Sequence, residues 1–151
     1  MNDLDLEPIM VKAMDKEEGF GWDIEFTQRI ASEYKKYLIL CLENPDTAVV
    51  PSSQIDNFWH LHILDTQKYQ DDCNNYLGNF LHHFPYFGMR GEQDANNLKS
   101  AWNESCELYK QRFGEQPADL WMSSSRCPNC GRINSTYGMN ERPRLKMASN
   151  M

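Results

Sequence analysis

From Asp23 to Cys41 the apolar residues fall at steps of three and four: Ile30, Tyr34, Tyr37, Leu38 and Cys41. That period places them along one stripe of an α-helix and is incompatible with a strand. Asp23 stands where its carboxylate can cap the free amides of the first turn. Asn44-Pro45-Asp46 ends the run, because the residue before a proline avoids helical geometry.

The same period appears three more times. Pro8 to Glu18 reads as a first helix, with Met10, Val11 and Met14 on one face and Gly19 as its stop. Gln54 to Leu77 reads as one long helix with Gly78 as its stop. Ser53-Gln54-Ile55-Asp56 fits a capping box at its start, a hydroxyl followed three residues later by an acid. Its buried face is expected to carry Ile55, Phe58, Trp59, His62, Thr66, Tyr69, Cys73, Tyr76 and Leu77. Glu92 to Phe113 is the last, with Leu98, Trp102, Cys106, Tyr109 and Phe113 in its stripe and Gly114 beyond it. Short links and weak strand signals predict an all-α protein, a compact bundle of about four helices. Asn79 to Gly88 is read as a packed, aromatic-rich loop.

Charge divides the chain. Residues 1–121 carry 10 Lys+Arg against 21 Asp+Glu, a net −11, whereas residues 122–151 carry 5 against 1, a net +4. The expected organisation is a helical domain over 1–121 and a basic, flexible, irregular tail over 122–151. An acidic body is a poor ligand for phosphate backbones, so no nucleic-acid partner is expected. No apolar run approaches the roughly 20 residues of a membrane span. An acidic start and five cysteines, an odd number, fit reduced thiols in the cytoplasm.

All four histidines, His60, His62, His82 and His83, lie within 24 residues. Neutral imidazole is a common ligand for zinc, copper and iron. On a regular helix His60 and His62 point about 200° apart, so one ion cannot take both unless the helix is distorted there. His60 shares its face with Asp56, and His62 lies on the apolar side. A metal site therefore uses Asp56 with His60, or else His62, together with His82 or His83 from the next segment. Cys127 and Cys130 form a C-x-x-C, half of a zinc ribbon, whose missing ligands would be His82 and His83 or another chain. A redox dithiol and an inert tail are its other readings.

The run Asp56-Asn57-Phe58-Trp59-His60-Leu61-His62-Ile63-Leu64, followed by Tyr69, Asp72-Cys73, Gly78 and His83, resembles the glycine-rich domain-containing protein-like family of plants and bacteria. The resemblance covers about residues 51–114. It implies a helical domain whose site includes Asp56, Trp59, His60, His62, Tyr69, Asp72 and Cys73, and it supplies no reaction.

Two functions follow as expectations. One is a small metal-dependent enzyme holding a divalent ion, zinc first and iron second, through His60, His62 and His82 or His83. Asp56 or Asp72 would then be its base and Tyr69 a proton donor. Cys73 as a nucleophile is a weaker variant. A straight helix sets it about 16 Å from His62, which leaves His82 or His83 as its base. The other function is a scaffold domain with a buried polar network and at most a structural zinc. The expected partner is accordingly a small molecule or a protein.

Overall fold

The computed structural model describes residues 1–121, 131–132, 137–139 and 141–146. The architecture is all-α: α1 (Glu7–Met14), α2 (Ile24–Glu43), α3 (Ser53–Leu64), α4 (Thr66–Asp72) and α5 (Glu92–Phe113), with a π-helical turn over Cys73–Leu77. β1 (His83–Phe84) and β2 (Gly131–Arg132) form a two-residue antiparallel ribbon, pairing His83 with Arg132 and Phe84 with Gly131.

Helix α2 forms as its sequence dictates. The Asp23 carboxylate accepts from the Phe26 amide at 2.8 Å, and all five stripe residues are buried. α1 and α3 pack on α2 and on each other. α1 is shorter than expected, because the Asp15 carboxylate accepts from the Glu17 and Glu18 amides and turns the chain. Ile9 and Ala13 are its buried residues, while Val11 is exposed. Gly19 is required at this turn: a Cβ there would stand 1.9 Å from the Lys12 carbonyl oxygen.

The long helix expected over 54–77 is interrupted. α3 ends at Leu64, and Asp65 breaks the helical path. Its carboxylate accepts from the Lys68 amide to start α4. The capping box is also absent. Ser52, not Ser53, is the N-cap, and it makes no side-chain cap bond. Asp56 is left to do something else.

α5 buries Leu98, Ala101, Trp102, Ser105 and Tyr109. Its anchor to α2 is polar. Glu33 is buried, and its Oε2 accepts from Tyr109 Oη and Trp121 Nε1, both at 2.7 Å. Lys36 pairs with its other oxygen at 2.8 Å. Among the described residues no helix is long and apolar enough to cross a membrane.

Candidate functional site

Asp56 lies one turn before His60 on α3, so both side chains rise from the same face. His83 reaches them from β1. His60 Nε2 is 3.0 Å from Asp56 Oδ2, His83 Nε2 is 2.9 Å from Asp56 Oδ1, and the two Nε2 atoms are 2.9 Å apart. Asp56 is fully buried, the His83 side chain is 9% exposed, and that of His60 is 41% exposed. The cluster thus has a closed floor and one wall open to solvent. The Trp59 indole lies against the His83 ring, centroids 4.4 Å apart.

Three donor atoms converge here with too few protons to satisfy them. Neutral imidazoles carry at most one N–H on each Nε2. His83 Nε2 stands between His60 Nε2 and Asp56 Oδ1, and Asp56 Oδ2 makes no well-formed hydrogen bond although His60 Nε2 lies 3.0 Å from it. A buried, unsatisfied carboxylate oxygen is costly. Burial pushes the Asp56 carboxyl up, but the two histidines outweigh it and bring it down to about 2. It is therefore an anion at neutral pH.

Asp56, His60 and His83 together form a set able to hold a metal ion.

His62 does not join this cluster. Both its ring nitrogens are engaged elsewhere: Nδ1 with Tyr34 Oη at 2.7 Å and Nε2 with Asp72 Oδ2 at 2.8 Å. Burial pushes the His62 imidazole down from its ordinary value despite the Asp72 carboxylate beside it. The partners then select the neutral tautomer that donates from Nε2 to Asp72 and accepts at Nδ1 from Tyr34. Lys68 holds Asp72 from the other side at 2.9 Å.

On a straight helix His62 and Asp72 would be about 15 Å apart. The break at Asp65 folds α4 back and brings them together. The same break overturns the separation expected between His62 and Cys73, which line one void of about 10 Å³ with Tyr69 and Asp72. That space is too small for a substrate. Burial pushes the Cys73 thiol up, which disfavours a thiolate nucleophile. Tyr69 donates to the Leu81 carbonyl and accepts from Trp59 Nε1 at 2.9 Å, and burial pushes its hydroxyl up as well.

His82 is exposed, its ring against Phe80 at 4.7 Å, so of the adjacent pair it is His83 that turns inward. Cys127 and Cys130 lie outside the described residues. Tyr34, the hidden partner of His62, reads in the sequence as one more member of an apolar stripe, and nothing there marks it as polar machinery.

Residues 3–119 match the family described as UCP032817-like. The chain is also similar to Glycine-rich domain-containing protein 1 of Arabidopsis thaliana, at 24% identity over 117 residues. That alignment covers 70% of this chain but only 14% of the plant protein, so the chain spans a small part of its relative's length. No solved structure matches. The resemblance carried by the Trp59-His60-Leu61-His62 run holds, and the family match extends well to either side of it.

Proposed function

The chain belongs to the UCP032817-like family, and we propose that Asp56, His60 and His83 form a divalent-metal centre in it, the working site of a small metal-dependent enzyme. The observation that carries this reading is the convergence of two imidazole nitrogens on one buried carboxylate whose Oδ2 makes no well-formed hydrogen bond. Two nitrogens and one oxygen suit zinc and ferrous iron alike, and zinc remains the first expectation.

Three protein ligands leave coordination positions vacant, and the exposed side of His60 opens them to solvent. A bound ion supplies Lewis acidity and lowers the pKa of bound water. The protein's own part is to fix the donors. Trp59 packs on His83, and the Tyr69 hydroxyl holds the Leu81 carbonyl two residues before it. The occupant we propose for the open face is a small molecule.

The competing reading is a scaffold domain. It draws on the Tyr34–His62–Asp72–Lys68 network, in which buried polar groups satisfy one another with no ligand.

Elemental analysis of protein purified without an affinity tag separates the two. It is run on wild type, Asp56→Asn, His83→Ala and the Cys127→Ser/Cys130→Ser double variant. The expected result is close to one metal per chain in wild type and in the cysteine variant, and none in the other two. A metal-free wild type would support the scaffold. A metal that vanishes with the cysteines would place it at the C-x-x-C instead.

A further inference from the structure

His83 lies in a stretch that no helix supports, between the π-helical turn and α5. Its backbone groups need partners, and the ribbon with Gly131 and Arg132 provides them. A second attachment lies seven residues on. All five N–H donors of the Arg90 guanidinium are engaged. Nε and one Nη2 hydrogen bind the Asp94 carboxylate at 3.0 and 2.8 Å. The rest bind the carbonyls of Tyr137 at 3.0 Å, Gly138 at 2.6 Å and Glu141 at 3.0 Å.

Asp94 accepts in addition from the Gly88 and Arg90 amides, which ties the first turn of α5 to the same loop. The guanidinium covers the ring of Phe84, the residue after His83, 4.8 Å from its centroid. Tyr137 stacks on Phe87 at 5.5 Å, and Met139 is fully buried.

We propose that residues 131–132, 137–139 and 141 act as a strap that holds His83 against Asp56 and His60, and that Arg90 is the positioning residue that fastens it. The strap lies beyond residue 119, where the family match ends. Its effect on metal affinity rests on the metal reading above, whereas its effect on the position of His83 does not. Lysine cannot replace Arg90, since an ammonium has three donors and no planar fork with which to hold a carboxylate and three carbonyls together.

The test uses the full chain and two variants that loosen the strap from opposite sides, Arg90→Lys and Tyr137→Ala. Hydrogen exchange of the β1 amides is followed by NMR without metal, and Zn²⁺ affinity is measured by calorimetry. Both variants are expected to speed β1 exchange at least tenfold while α2 amides stay protected, and to weaken Zn²⁺ binding at least tenfold. Ser105→Ala, which removes a buried hydrogen bond to Val50 far along α5, serves as a control that lowers stability and leaves affinity unchanged. Wild-type exchange at β1 in both variants overturns the proposal, and so does wild-type Zn²⁺ affinity in both variants when wild type binds the ion. If Arg90→Lys fails to fold, Tyr137→Ala decides alone. If wild type binds no Zn²⁺ and β1 still loosens in the variants, the metal reading falls and the strap stands.

Discussion

His60 and His62 are two residues apart and serve different ends. One faces solvent beside a buried carboxylate, and the other is sealed between a tyrosine and an aspartate. Removing His62 strands the Tyr34 hydroxyl in the core and opens a cavity. His62→Ala is expected to cost about 2–4 kcal/mol, and His60→Ala less than about 1 kcal/mol in metal-free protein. Urea denaturation of both variants checks this, and equal losses would contradict the burial assigned here. Their divergence was legible, because a helix turns residues two apart to opposite sides. Asp56 beside His60 was legible too, and His83 was one of the two histidines expected to join them, but Tyr34 was not, because it comes from a helix whose stripe reads as apolar.

Asp94 gives a pH signature at the same scale. Burial pushes its carboxyl up, but Arg90 and the Gly88 and Arg90 amides outweigh it, so its folded pKa is lowered. A lowered carboxyl pKa contributes stability above its ordinary value near 3.8 and loses it as the pH falls through the folded value. Asp94→Asn is therefore expected to be less stable than wild type at pH 7. The gap should close below about pH 4. Thermal denaturation across that range measures it.

Among the elements, α2 was readable almost to its ends, since a capping aspartate, a period and an Asn-Pro stop all agree. Asp23→Ala is expected to destabilise by about 1 kcal/mol, measurable as a shift in the denaturation midpoint. The break between α3 and α4 was missed for a physical reason. The apolar period continues across Asp65, with Ile63 and Leu64 before it and Tyr69 after it, and no proline or glycine interrupts the run. Asp65 reads as an ordinary exposed helical acid until it caps a new helix. The cost of that miss fell on the site, for the straight helix kept His62 away from Asp72 and Cys73. The first helix shows a milder version: Met10, Val11 and Met14 gave one apolar face, but packing on α2 and α3 selected Ile9 and Ala13.

At the scale of the molecule, one carboxylate joins distant parts of the chain. Glu33 on α2 gathers Tyr109 from α5 and Trp121 from the turn beyond it. Trp121→Phe removes a donor and keeps most of the aromatic surface. It is expected to cost about 1–3 kcal/mol through the lost bond to a buried charge, read from urea midpoints. The sequence alone determined that this chain is helical, where α2 and α5 lie, that it resembles its family, and that Asp56 and His60 share a face. Those properties are local, written in steps of three and four residues. Tertiary structure decided which second histidine meets them, that His62 is sealed into another network, and that the C-terminal stretch reaches back to β1. Each depends on contacts between residues ten to ninety positions apart, and helical periodicity carries no information over such distances.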